Sequence, residues 1–260
     1  MKILLSLLLL LQLSGCATQN SRWGESAYQQ LNGQRLLHSA QKTLQQPATW
    51  LPALGSLIFT LPDLDQQTSD WASSSNPIFG SQANARRYSN DLRSLLLAEV
   101  TITTLLTPSG DSLSQWLANK SRGISAQLLA GGAAGSSSEH FKDLFQRTRP
   151  DGSDNRSYPS GHATTAASYA TLANDNLNAL PLSNSQRQAL NYLNWSLATG
   201  VAWARVEGQA HYPSDVLAGM ALGHFVTGTL NDFFMGDKSG VQIRLLNREE
   251  GQRLQLRWDF

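Results

Sequence analysis

A single cysteine in 260 residues excludes an intramolecular disulfide, so packing alone must hold this chain folded. Charge is scarce too. Charged side chains make up 15% of the sequence and the formal net charge is +1, so nothing recommends a nucleic-acid partner. Beyond the first dozen residues no apolar run is long enough to cross a bilayer. No internal repeat is visible, and no group of residues has convincing metal-ligand spacing. Ala, Leu, Ser, Gln and Asn are plentiful instead, and a hydrophobic share of 41% suffices for one sizeable core. The combination predicts a mainly α protein whose surface is polar rather than ionic.

The lone cysteine is placed informatively. Met1-Lys2 is a short positive start, Ile3 to Leu11 is apolar apart from Ser6, and Leu13-Ser14-Gly15-Cys16 follows. This reads as a signal peptide, with an apolar run too short to span as a stable helix. The ending resembles the lipobox of bacterial lipoproteins, which implies lipidation of Cys16 as the first mature residue. Ala17 after the cysteine, by resemblance to Gram-negative sorting, implies an outer-membrane address facing the periplasm. The expected organisation is a signal peptide over 1–15, a lipidated tether over 16–24, a helical domain over 25–236 and an extension over 237–260.

Along the mature chain the spacing of Tyr28, Leu31, Leu36 and Leu37 predicts a helix from Glu25 to Leu44. Trp50 to Leu61 is a short apolar run. Pro62 to Gln82 reads as a long loop with Trp71 and Phe79 tucked in. Asn84 to Leu106 is a helix burying Leu92, Leu95, Leu96, Leu97 and Val100. Asp111-Ser112 caps another through Leu129, with Leu113, Trp116, Leu117 and Ile124 inward. After the glycine-rich 131–135, Ser138 is expected to cap a helix from Glu139 to about Thr148. Ser160 caps the next, Ser185 a long one to Val206, and Ser214 to Phe234 forms the last. Alternation at Val241, Ile243 and Leu245, and again at Leu254, Leu256 and Trp258, predicts a small C-terminal β-hairpin.

Three short stretches carry chemistry. Lys142 and Arg149 lie seven residues apart. On one helix that is nearly two turns, which puts both on one face about 10 Å apart along the axis. Pro159-Ser160-Gly161-His162 opens a helix without a side chain at Gly161. Its backbone N–H groups and the Ser160 hydroxyl can cradle a tetrahedral anion, with His162 beside it. Arg205 closes one helix as an anion clamp, and Pro213 suits the first turn of the next. His211 precedes that turn. Asp215, four residues on, is placed to hold one ring nitrogen and leave the other free to attack. Each stretch alone is equally a plain helix cap or a solvated face. His38, His140 and His224 read as structural or solvated, with His140 at a helix start.

Taken in order, Lys-x6-Arg-Pro (142–150), Pro-Ser-Gly-His (159–162) and Arg-x5-His-x3-Asp (205–215) resemble the superfamily of type 2 phosphatidic acid phosphatases, class A bacterial acid phosphatases and vanadium haloperoxidases. The motifs cover residues 142–215, and 112–234 resembles the family's helical core. The resemblance implies a helical bundle. It also implies that Lys142, Arg149, Ser160, Gly161 and Arg205 bind phosphate oxygens. His211 would be the nucleophile, Asp215 its orienter, and His162 the acid that protonates the leaving oxygen and then activates water. No metal or other cofactor is implied. The family's serine before the last-motif arginine is replaced by Ala204, which removes one hydroxyl contact to phosphate. The expected substrate is a phosphomonoester or a lipid phosphate or diphosphate. Two alternatives stand: the same pocket holding vanadate as a haloperoxidase, or a non-catalytic envelope lipoprotein. The intact motif residues and the short chain favour the phosphatase. Oligomeric state is not legible.

Overall fold

The computed structural model describes residues 22–236, together with the backbone of 242–248 and 251–257. Cys16 and the expected signal peptide lie outside the described residues. Eight helices occur among the described residues: α1 Gly33–Leu44, α2 Pro47–Phe59, α3 Leu64–Ser75, α4 Gln82–Leu106, α5 Leu113–Phe145, α6 Gly161–Leu177, α7 Asn184–Glu207 and α8 Pro213–Met235. The chain is a mainly α bundle. Two short strands, β1 Gln242–Arg248 and β2 Gly251–Arg257, pair antiparallel with Leu245 opposite Leu254.

α6 and α8 form the centre. α6 buries Ala163, Ala166, Ala167, Ala170 and Ala173. α8 meets it through Gly219 and Gly223, one turn apart. A Cβ at Gly223 would lie 2.2 Å from the Thr164 carbonyl oxygen, and one at Gly219 would lie 2.6 Å from that of Ser160. Any side chain at either position would push the two helices apart. Because Ser160 caps α6, this contact also holds the first turn of α6 against α8. α4 packs on α6 and α7, α5 on α6 and α8, and α1 and α2 run along α8.

Several helices differ from the sequence reading. The first begins only at Gly33, where Asn32 accepts the Arg35 N–H as N-cap. The expected loop over 62–82 contains α3, which buries Asp65, Ser69, Ala72 and Ser73. Its apolar content is too low to have shown a helical period. Trp71 is exposed rather than tucked in. The two helices expected on either side of the glycines are one, α5. Its glycines cost about 1 kcal/mol each, and the small buried series Ala126, Ala130, Ala134 and Ser138 lies against its neighbours. His140 accordingly sits inside α5 and does not start a helix. α7 is capped by Ser183, with Gln186 completing a capping box, and not by Ser185. Leu95, Leu97, Leu113 and Leu117 are exposed, because their helices bury stripes of small and polar residues instead. α2 carries its own exposed apolar stripe, Trp50, Leu51, Leu54, Leu57 and Ile58. No helix among the described residues is long and apolar enough to cross a membrane.

Candidate active site

α5 ends at Phe145, and Gln146 turns the chain out in the left-handed region at φ 45°. Arg149 therefore lies in the loop after the helix. It does not share a helical face with Lys142, as the sequence spacing suggested. The two cations still converge. Lys142 is 8% exposed, and its Nζ would stand 2.9 Å from a Cβ built on Gly161. A side chain at the first position of α6 would displace that ammonium. Lys142 also holds Glu139, which in turn pairs with Arg156 at 2.8 Å.

His211 sits between α7 and α8 and is 2% exposed. Its Nδ1 lies 2.7 Å from the Ser157 carbonyl, which can only accept a hydrogen bond. Its Nε2 lies 3.0 Å from Arg149 Nη1, which can only donate. The two partners fix one tautomer, with the proton on Nδ1 and the lone pair on Nε2. Burial, together with Arg205 and Arg149, lowers the His211 pKa to about 4, against the opposing pull of Asp215. The ring is neutral at pH 7, and the Nε2 lone pair faces Arg149.

Asp215 does not hold the ring directly. Its Oδ2 is 3.8 Å from Nδ1, beyond hydrogen-bond reach, so the direct orienter is the Ser157 carbonyl. The carboxylate is fully buried. It accepts from the Ser157 hydroxyl, from the Tyr212 N–H at 2.8 Å and from Arg147 Nη1 at 2.6 Å. Burial alone would raise its pKa, but its bonds with Arg147 and Ser157 and the nearby His211 hold it below the usual carboxylate range. Arg147 also reaches Asp65 on α3 at 2.7 Å and lies over the Tyr212 ring. An Asp65–Arg147–Asp215 chain thus braces the start of α8 from behind, with Ser157 passing that order to His211.

Arg205, in the last turn of α7, has no counter-ion among the described residues, and its Nε is buried without a hydrogen-bond partner. Burial and the neighbouring Arg149, Arg86 and Arg93 lower its pKa to about 10. A half-buried cation crowded by other cations is poised for an anion. His162, in the first turn of α6, carries the same signature. Burial, then Arg205, Arg93, His211 and Lys142, lower its pKa to about 3. Its Nε2 lies 2.9 Å from Asn90 Oδ1 on α4. Ser160 is buried and caps α6, and its N–H donates to the Asp215 carbonyl at 2.9 Å. Ala204 is fully buried where a serine was expected by resemblance.

All eight expected site residues therefore meet at the ends of α5, α6, α7 and α8. Sequence reasoning missed Arg147, Ser157 and Asp65, and also Arg86, Asn90 and Arg93. The last three had a signal, since steps of four and three put them on one face of α4. Glu207 has a structural task. It is fully buried and accepts from the backbone N–H groups of Ile78 and Phe79 at 3.1 and 3.0 Å. His224 is buried between Thr171 and Gln46.

Comparison with known proteins agrees with this geometry. Residues 124–235 match the PAP2 superfamily. The chain carries a PAP2-superfamily domain. Over 113 residues it is 32% identical to the lipid A 1-phosphatase of Porphyromonas gingivalis, an alignment covering 42% of this chain and 24% of that protein. The chain thus spans about a quarter of the length of that relative. In fold it resembles the transmembrane PAP2-type phosphatidylglycerolphosphate phosphatase of Bacillus subtilis, with TM-score 0.54 and 18% identity, covering 75% of this chain and 96% of that one. The PAP2 match begins within α5, so α1–α4 fall outside it.

Proposed function

We propose that this protein is a phosphatase that hydrolyses phosphomonoesters or lipid phosphates and diphosphates through a phosphohistidine on His211. The observation that carries the reading is the pairing of a neutral, lone-pair-bearing His211 Nε2 with an unneutralised Arg205 beside it. The lipid A 1-phosphatase likeness supports a lipid phosphate as the substrate class.

In this reading Lys142, Arg149, Arg205 and the Gly161 N–H hold the phosphate oxygens and neutralise charge spread over them in the transition state. Arg149 exchanges its contact with Nε2 for a phosphate oxygen as the substrate enters. Nε2 attacks phosphorus, and the positive charge gained by the ring is met by the Ser157 carbonyl and by Asp215 nearby. His162 is neutral in the free protein at pH 7. A bound phosphate dianion among the same cations raises its proton affinity, so that it can protonate the leaving oxygen and later take a proton from the attacking water. The chain's own cations carry the electrostatic task, and the proposed hydrolysis uses no metal. Vanadate would mimic the five-coordinate transition state and should inhibit competitively. The test is phosphate release by the purified protein in chelator, inhibited by vanadate. Bromide oxidation by the vanadate-loaded protein without phosphatase activity would reverse the choice.

The Leu13–Cys16 stretch supports a lipid anchor that holds this domain at the envelope, facing the periplasm. Acyl chains contribute about 0.8 kcal/mol per buried methylene, so a multiply acylated Cys16 would bind membranes stably. Cys16→Ser should release the protein or block its processing; unchanged fractionation and processing would count against the anchor.

A further inference from the structure

α2, outside the segment that matches the PAP2 superfamily, carries its large side chains on the outside. Its inner face is small and polar: Thr49 and Ser56 are buried, and a Cβ at Gly55 would lie 3.1 Å from Leu217. Trp50, Leu51, Leu54, Leu57 and Ile58, with Leu61 just past the helix end, follow helical spacing along the other face and are 40% to 64% exposed. No charged residue occurs from Thr43 to Pro62, so no ionic side chain of this segment interrupts the stripe. α4 also exposes Leu95 and Leu97, but with the exposed Arg87 and Asp91 one and two turns before Leu95. A helix covered only by water has the reverse pattern, with its apolar side chains inward. An exposed apolar stripe of this length marks a surface that meets another.

The layout of the chain points to what covers it. Gln46, just before α2, lies 2.9 Å from His224 in the middle of α8, and Ser56 Oγ donates to the Ser214 carbonyl at 2.9 Å. α2 thus runs along α8 toward its first turn, where the site lies. The first described residues attach at the opposite end. There the Tyr28 N–H donates to the Phe234 carbonyl at 2.7 Å and the Ser26 hydroxyl to that of Met235 at 2.8 Å. The 23 residues of α8 separate the two ends by about 34 Å. Six residue steps lead from Cys16 to Arg22, at most about 20 Å of chain. An acylated Cys16 would hold the far end of α8 near the lipid, and a bundle standing on that end would keep the site about 34 Å beyond it. A bundle lying on α2 brings both ends of α8 to the membrane. We propose that the α2 stripe docks on the membrane surface and lays the bundle on its side, so that phosphates at headgroup level meet the end of α8 that carries His211. The choice of a lipid surface rests on the anchor reading. Trp50 suits such a surface, since its ring is apolar and its N–H stays wet.

The test reconstitutes the mature chain on vesicles of phosphatidylglycerol and brominated phosphatidylcholine, because bromine quenches a tryptophan that enters the acyl layer. Trp50→Phe should remove most of the bromolipid quenching, and Leu54→Glu combined with Leu57→Glu should do the same. With phosphatidic acid in the same vesicles, the double variant should lose about tenfold or more in kcat/KM, the order of burying two leucines, and stay within about twofold of wild type on a soluble aryl phosphate. All three side chains are exposed, and if the double variant misfolds, Trp50→Phe alone decides. Equal quenching in wild type and Trp50→Phe overturns the proposal. So does unchanged turnover of vesicle phosphatidic acid in a double variant that has lost its quenching. A wild-type dimer that the double variant turns into a monomer in light scattering assigns the stripe to a second copy and also overturns it. The anchor is judged separately, by acylation of Cys16. An acylated chain without Trp50 quenching keeps the anchor and overturns the docking face, and Trp50 quenching in a chain whose Cys16 proves unacylated does the reverse.

Discussion

α5–α8 and α1–α4 build one site in different ways. The C-terminal four helices supply the groups proposed to touch phosphate, and they do so from helix ends. Lys142 is in the last turn of α5, Gly161 and His162 open α6, Arg205 is in the last turn of α7, and His211 and Asp215 flank the start of α8. The N-terminal four contribute a second layer from helix bodies: Asp65 near the start of α3, and Arg86, Asn90 and Arg93 along α4. Groups at helix ends can converge without distorting the helices, and they bring backbone N–H groups and end dipoles with them. Groups along a helix body reach a site only where packing turns that face toward it.

The comparison predicts that breaking the C-terminal half costs the most activity. His211→Ala should lower phosphate release by at least about a thousandfold, since no other group can take over attack on phosphorus. Arg205→Ala should lower it by about a hundredfold or more. Both variants should stay folded, and Arg205→Ala should gain thermal stability, because it removes a half-buried cation with no counter-ion among the described residues. A less stable Arg205→Ala would mean that the cation is compensated in the resting protein.

The same division explains what could be read from the chain. The order and spacing of residues 142–215 pointed to the eight site residues because a helix end leaves a compact local string: a serine, a glycine or proline, then the reacting residue. The last three helices were legible from caps and period. α3 was not, since a stretch of Asp, Gln, Ser and Thr carries turn-forming composition, and here tertiary contacts through Asp65 and Ala72 decide the conformation. The single span of α5 was hidden by Gly131–Gly135, which look like a break until neighbouring helices are known to pack there. Arg147 was unremarkable between Lys142 and Arg149. Only the fold shows that it turns toward Asp65 and Asp215.

Severing the contact between the halves should be the next largest effect. Arg147→Ala leaves Asp215, and the mostly buried Asp65, without their cation and should destabilise the protein by about 3 kcal/mol in urea unfolding. It should also reduce activity, because Asp215 supports Ser157 and hence His211. Wild-type stability in Arg147→Ala would show that the two halves are not braced there. Asn90→Ala should cost about tenfold on an alkyl phosphate and less on an aryl phosphate, since it acts through the acid and not through phosphate. Equal losses on both esters would assign Asn90 to binding.

The smallest effect concerns pH. His162, His211 and His224 have pKa values lowered to about 3, 4 and 4 in the folded protein. Between the ordinary histidine value and about pH 4 the unfolded chain therefore binds more protons, and stability falls as pH falls through that window. The depressed carboxylates Asp215 and Asp151 act in the same direction, but only at lower pH. The melting temperature should drop by several degrees from pH 7 to pH 5. Inorganic phosphate should raise the melting temperature more at pH 5 than at pH 7, since it favours protonated His162. A pH-independent melting temperature would contradict the assigned burial of these rings.

The central claim is a covalent bond between phosphorus and His211 Nε2. The most direct test is to quench the full chain with a radiolabelled phosphomonoester during turnover, digest it under alkaline conditions and locate the label by mass spectrometry. The account predicts an acid-labile, alkali-stable phosphoryl group on His211, absent in His211→Ala and accumulating in His162→Ala with an aryl ester. Turnover with no labelled peptide in wild type or His162→Ala, or with the label on any residue other than His211, would contradict it.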